Sequence, residues 1–363
     1  MWSQIEKNLI MTMGRCRIKC NAFCYVKKNS MKNNTNLNIR FKKRYCNAIS
    51  FFICYTKKKE LVILERLNLT KDFSISRLVH GYWRLTDWNL TDKEVLDLIL
   101  KVKDIGITTV DHADIYGNFL CEEKFGAALK LKSGLREELE IITKCGIKFP
   151  SENRLENKAH CYDTTFDHIV KSAERSLKNF NTDYIDLLLI HRVDPLLNPE
   201  EVARAFNKLN QEGKVLNFGV SNFLNPQFTM LDSYLDKKLV TNQIEISPIN
   251  IERFEDGSLD LMLEKRLHPM AWSPLAGGQI FKGEDEKSIR VRKVLNKVKE
   301  ELGAKGIDEV AYAFLLKHPS KIAPIIGTGN FERILAAKNS LDLNMTIDQW
   351  FEIYVASRGV DIP

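Results

Sequence analysis

From about residue 76 onward the chain alternates short apolar runs with helical patterns at regular intervals. The runs cover residues 77–83, 108–111, 140–144, 186–191, 217–221, 241–246, 269–273 and 323–327, eight in all. Helices fit between them. Thr91 and Glu94 form a capping box, and Val95, Leu98, Ile99 and Val102 then repeat at helical spacing. Asn198-Pro199-Glu200-Glu201 supplies a cap, a first-turn proline and early acids ahead of Val202, Ala205, Phe206 and Leu209, and Gly213 stops that helix. Leu187 to Ile190 is continuously apolar rather than alternating, as in a parallel strand covered on both faces.

Strict alternation of strands and helices predicts a parallel sheet. Eight repeats over about 250 residues predict a closed (β/α)8 barrel of the TIM type. The rival, an open doubly wound sheet, wants a Gly-x-Gly-x-x-Gly turn after its first strand. Here that strand ends in Gly81-Tyr82-Trp83-Arg84. Residues 347–356 lie beyond the eighth unit and read as an added C-terminal helix.

Composition changes the picture mainly at the N-terminus. The 363 residues are 44% hydrophobic and 28% charged, enough for one large core. No run of apolar residues is long enough for a membrane span. Residues 1–60 carry 14 Lys and Arg against two acids, Glu6 and Glu60, whereas the other 303 carry 40 against 45. The body is therefore mildly acidic, and a nucleic-acid-binding face on it is not expected.

Residues 1–60 show no sustained periodicity and are expected to form a basic, disordered extension to a barrel domain over residues 61–363. Two alternatives stand: an organellar targeting segment, or sequence upstream of a start at Met11, Met13 or Met31. Without a transit peptide the expected location is the cytoplasm. Cys16, Cys20 and Cys24 share a helical spacing that would suit a metal or a palmitoyl group, or is incidental. Cys121, Cys145 and Cys161 are scattered, and free thiols in a reducing compartment are expected.

In a barrel, chemistry collects where the strands end at the C-terminal face. Those ends are Asp111, Lys144, His191, Ser221-Asn222, Gln243, Trp272-Ser273 and Gly327-Thr328. A barrel with no function would not need a polar or chemically useful residue at nearly every end. Each also has a structural alternative: a helix cap for Asp111, a solvated charge for Lys144, a core histidine for His191, a core indole for Trp272. No His-Glu-x-x-His pattern occurs and His160-Cys161 is too short a cluster, so no metal site is expected.

Several segments in order carry a resemblance to a known family: Asp111-His112-Ala113-Asp114-Ile115-Tyr116-Gly117, Ile141 to Lys144, Asp183 to Arg192, Gly219 to Phe223, Asn242-Gln243, Ser273-Pro274-Leu275 and Pro324 to Gly329. Across residues 65–363 the chain resembles the aldo-keto reductases. Met270 to Ser273 and the ending Gly359 to Pro363 are similar to the family's bacterial YdhF-type branch.

The resemblance implies reduction of an aldehyde or ketone by hydride from NADP(H). It implies Tyr116 as proton donor, Lys144 as the ammonium beside it, Asp111 as the partner fixing Lys144, and His191 orienting the substrate oxygen. The chemistry is consistent: an unaided phenol titrates near pH 10, and a neighbouring ammonium is expected to lower that value. The resemblance also implies that Ser221, Asn222 and Gln243 bond the nicotinamide carboxamide and that Trp272 stacks on its ring. Ser273, Leu275 and Gly277 would meet the pyrophosphate. Gly327 and Thr328 open a helix whose N-terminus suits a phosphate. Arg333, one turn on, would reach a 2′-phosphate, favouring NADP(H) over NAD(H). Trp83 and His112 are expected to line the substrate pocket.

The chain departs from the common pattern at four places. His112 replaces Thr, the segment from Tyr116 to Gly126 is two residues longer, Gly327 replaces a Lys and Ala337 an Asn. The partner expected is a small carbonyl compound, with the protein a monomer or weak homo-oligomer. A second class stays open: a nicotinamide-binding regulatory subunit with little turnover, like those associated with potassium channels.

Overall fold

The computed structural model describes residues 64–363. The expectations for residues 1–60, and the domain boundary after residue 60, lie outside the described residues.

A short hairpin, β1 (Arg66–Asn68) with β2 (Ser74–Ser76), comes first. The barrel strands follow as β3 (Val79–Gly81), β4 (Thr109–Asp111), β5 (Glu140–Cys145), then after a two-residue hairpin, β6 (Ile147–Lys148) with β7 (Cys161–Tyr162), β8 (Ile185–Ile190), β9 (Val215–Ser221), β10 (Asn242–Glu245), β11 (Met270–Trp272) and β12 (Ala323–Ile326). All eight apolar runs became barrel strands. They pair in parallel in chain order, and β12 closes onto β3 with Ile325 opposite Val79. The open-sheet alternative is thereby excluded.

The helix signals act locally as read. Thr91 Oγ1 accepts from the Glu94 amide at 3.3 Å and Glu94 Oε2 accepts from the Thr91 amide at 2.8 Å, opening the helix Asp92–Asp104. Asn198 Oδ1 accepts from the Glu200 amide at 3.0 Å ahead of the helix Pro199–Gln211. The added C-terminal helix runs Ile347–Arg358.

Successive residues of β8 serve two cores. Leu187 and Leu189 pack with Val79, Ile142, Met270 and Ile325 inside the barrel, whereas Leu188 and Ile190 pack with Ile169, Val202 and Phe206 under the outer helices. The hairpin β1–β2, absent from the sequence reading, adds Leu67, Phe73 and Ile75 to the inner cluster. Its polar edge is pinned at the starts of β4 and β5: Arg66 bonds Glu140 at 2.7 Å, and the Ser76 amide donates to Thr109 Oγ1 at 2.8 Å. It therefore plugs the N-terminal end, and the C-terminal mouth is left for chemistry.

Candidate active site

Asp111 ends β4 and Lys144 is the fifth residue of β5, on adjacent strands. Both are buried, Lys144 with no exposed surface. Lys144 Nζ donates to both Asp111 oxygens at 2.8 Å, to the His112 carbonyl at 2.7 Å and to Tyr116 Oη at 3.1 Å. Gln243 Nε2 donates to Asp111 Oδ1 at 2.7 Å from across the barrel. The carboxylate is thus held by an ammonium and an amide, and the ammonium reaches the phenol.

Tyr116 opens a turn in which Gly117, Asn118 and Phe119 all have left-handed φ values of 56°, 55° and 70°. Glycine is needed in this turn: a Cβ on Gly117 would stand 2.5 Å from Cys121 Sγ and 2.6 Å from Thr86 Oγ1. The segment after β6 braces the turn from outside, with Asn153 Nδ2 on the Asn118 carbonyl at 2.9 Å and Phe149 against Phe119 at a ring distance of 4.7 Å. The His191 ring meets Tyr116 edge-on at 5.8 Å.

Burial raises the Tyr116 phenol above its ordinary pKa; Lys144 acts in the opposite direction but does not overcome it. The expected lowering by Lys144 is present but outweighed by burial, which leaves a protonated phenol at neutral pH. Burial pushes the Lys144 ammonium down, but Asp111 and Tyr116 outweigh it, so its pKa is raised and the charge is kept. Burial, with Lys144 and Arg192 adding to it, holds His191 well below the ordinary histidine value, so the ring is neutral.

A hydrogen-bonded chain runs along the next strand ends. Trp272 Nε1 donates to Asn222 Oδ1 at 3.0 Å, Asn222 Nδ2 to Ser221 Oγ at 2.8 Å, and Ser221 Oγ to the Gln243 carbonyl at 2.8 Å. The structure thus joins Tyr116, Lys144, Asp111, His191, Gln243, Ser221, Asn222 and Trp272 into one connected set. Ser273 and Leu275 follow β11 and Gly277 lies in the 3-10 turn Ala276–Gly278 after them, and Gly327 and Thr328 follow β12, the neighbouring strand. Gly277 has φ 63°, and among the described residues no atom beyond the chain neighbours lies within 4 Å of where a Cβ would project at either Gly277 or Gly327. The helix Phe331–Asn339 starts there, but Asn330 Oδ1 already accepts from the Glu332 and Arg333 amides at 3.0 and 3.3 Å. Those two amides are therefore not free donors. The Arg333 side chain is exposed.

Two pocket expectations fare differently. Trp83 is 56% exposed on the rim, with the Arg84 guanidinium 4.8 Å over its ring. His112 is fully buried outside the barrel, stacked on Tyr82 at 4.8 Å and edge-on to Phe125 and Phe180. Its side chain is not placed to line a substrate pocket, because strand alternation turns it outward once Asp111 faces in. Its backbone carbonyl, one of the acceptors of Lys144, is what reaches the site. Arg192, directly after His191, was not singled out from the sequence; its guanidinium lies 5.5 Å from the Trp272 ring centroid.

Comparison with known proteins agrees with this geometry. The model of the aldo/keto reductase family matches residues 77–357. The chain belongs to the aldo/keto reductase family. It is 53% identical over 300 residues to the oxidoreductase YcsN of Bacillus subtilis (strain 168), covering 83% of this chain and 100% of that one. It is 51% identical over 288 residues to the oxidoreductase YdhF of Escherichia coli (strain K12), covering 79% and 95%. A 6-dehydroglucose reductase of Agrobacterium fabrum (strain C58 / ATCC 33970) is 42% identical over 302 residues, covering 82% and 100%. This aldo/keto reductase therefore has oxidoreductase relatives along the whole described barrel. Among the described residues, no helix is long and apolar enough to cross a membrane.

Proposed function

We propose that the protein reduces aldehydes or ketones to alcohols with NADPH, reversibly, with Tyr116 as the proton donor. The observation that carries this reading is the buried chain from Asp111 through Lys144 Nζ to the Tyr116 phenol oxygen at 3.1 Å.

The residues present fit a nicotinamide dinucleotide. Gly277 and Gly327 leave backbone open to close approach, and the exposed Arg333 side chain makes no hydrogen bond or ion pair among the described residues. Ser221, Asn222 and Gln243 would hold the carboxamide and Trp272 would face the ring. Ser273, Leu275 and Gly277 would hold the pyrophosphate, and Gly327, Thr328 and Arg333 the adenosine-side phosphate. When bound, the cofactor supplies the hydride.

The chain's own residues handle the proton. Lys144 donates to the phenol oxygen, so the phenolic hydrogen is free to point at a substrate oxygen. As charge develops on that oxygen, Tyr116 gives up its proton to it, and the oxygen becomes the alcohol hydroxyl. The resulting tyrosinate is stabilised by the Lys144 ammonium, which Asp111 and the His112 carbonyl keep in place. His191, neutral at working pH, orients the substrate oxygen by a hydrogen bond without competing as an acid.

The test is turnover of the full-length protein with NADPH, and in parallel NADH, on 4-nitrobenzaldehyde and a broad carbonyl panel. Many turnovers per protein, faster with NADPH, are expected. Tight NADPH binding with no turnover on any carbonyl would instead support a redox-sensing regulatory subunit.

A further inference from the structure

Arg192 is the feature of the mouth that the reaction as described leaves unused. It is partly buried, one residue past His191 at the end of β8. A guanidinium carries five N–H donors and stays charged. Among the described residues, this one has no hydrogen bond or ion pair; its contact is the face of Trp272.

Acids in this part of the chain hydrogen-bond other groups and make no ion pair with it. Asp194 accepts from Thr164 Oγ1 at 2.9 Å and from the Leu196 amide at 2.8 Å. Glu245 is drawn to Asn250 Nδ2 at 2.7 Å. Asp111 belongs to Lys144 and Gln243. Yet the charge of Arg192 is felt at Tyr116, His191 and Glu245, so it stands beside the reacting region. No Arg192 nitrogen is among the buried polar atoms left without a partner, so its donors stay open to solvent at the mouth and can be taken by an anion. The Trp272 ring lies beside the guanidinium, 5.5 Å from it, and a planar fork of donors suits a carboxylate.

We propose that Arg192 is a specificity-determining residue that selects carbonyl substrates carrying a carboxylate. The inference rests on the reductase reading of the same site and adds the substrate class. The reacting carbonyl sits at Tyr116 and His191, and the substrate's carboxylate takes the free donors of Arg192 above Trp272.

The experiment compares kcat/KM on three matched pairs differing in charge but little in shape: glyoxylate and glyoxylamide, 3-carboxybenzaldehyde and 3-formylbenzamide, 4-carboxybenzaldehyde and 4-formylbenzamide. The wild-type protein is expected to favour the acid of at least one pair by about tenfold or more, as befits a charge-assisted bond. Arg192→Met should bring that ratio close to one. A ratio near one in all three wild-type pairs would overturn the proposal, as would a ratio that survives Arg192→Met. A loss of NADPH affinity with the ratio intact would place the guanidinium on the cofactor instead, and also overturns it. Calorimetry on the NADPH-saturated protein separates this from the reductase reading. Benzoate should bind at least tenfold more tightly than benzamide, and Arg192→Met should abolish the difference. If benzoate binds so but no carbonyl is reduced, the anion site stands and the reductase reading fails. If benzoate and benzamide bind alike, the anion site fails whatever the turnover.

Discussion

Lys144 Nζ lies 3.1 Å from the phenol oxygen of Tyr116, and the two side chains come from different βα units, 28 positions apart. Burial alone would make the phenol a poorer acid and the amine a poorer base. Asp111 reverses this for Lys144, keeping it charged, and the charged Lys144 then opposes the effect of burial on Tyr116. The buried pair is useful only as long as the carboxylate is there.

Lys144→Met should therefore fail twice. Turnover should drop by about 10²-fold or more, because the tyrosinate loses its counter-charge. Stability should drop by about 3–5 kcal/mol, because Asp111 is left buried without its ion pair. Adding Asp111→Asn should recover stability but not turnover. Steady-state rates and urea denaturation of the two variants read both effects, and a single variant within tenfold of the wild-type kcat would contradict the role given to Lys144.

Much of this site was legible before any coordinates. The β4, β5 and β8 runs placed Asp111, Lys144 and His191 at the same end of one barrel, because strand ends in a (β/α)8 fold share a face. The contact of Gln243 with Asp111 was not legible: it spans 132 positions and crosses the barrel interior. His112 was misplaced because proximity in the motif outweighed strand alternation, which would have turned it outward. The net rise of the Tyr116 pKa was missed because a motif names the neighbouring ammonium but not the depth of burial. The hairpin β1–β2 escaped because its strands are three residues each, too short for a periodicity to register.

Arg333→Ala addresses cofactor choice. Losing a charge-assisted bond to the 2′-phosphate should raise KM for NADPH by about tenfold or more. KM for NADH, which lacks that phosphate, should stay nearly constant. An equal rise for both cofactors would remove Arg333 from the 2′-phosphate site.

Asp114 gives a pH signature. Burial raises its carboxyl from 3.8 to about 8, and Oδ1 has no hydrogen-bond partner among the described residues. Between those values the folded protein keeps a proton that the unfolded chain has released. The stability from this group is thus full below the unfolded pKa and is lost as pH rises toward the folded one. Asp114→Asn removes that loss. Its stability advantage over wild type should grow with pH, by up to about 1.4 kcal/mol per unit between about pH 5 and 8. Urea midpoints measured across that window check it, and a pH-independent difference would show that Asp114 is ionised in the fold.

Gly126 is a packing constraint behind the site. A Cβ there would fall 1.9 Å from the Asn179 carbonyl oxygen and 2.8 Å from the Phe180 Cα, backbone atoms that cannot swing aside. Gly126→Ala should push the helices Cys121–Lys130 and Phe166–Phe180 apart and cost about 1–3 kcal/mol or more. Thermal unfolding of the variant checks it; an unchanged midpoint would mean the two helices are not in this contact in solution.

The central claim is that the phenol of residue 116 delivers the proton. Tyr116→Phe keeps the ring against His191 and removes only the hydroxyl. Measured with NADPH and a reducible aldehyde, kcat should fall by about 10²-fold or more, with the dissociation constant for NADPH changed by less than about twofold. Retention of more than about a tenth of the wild-type kcat would contradict the account, since positioned proton transfer is worth far more than that.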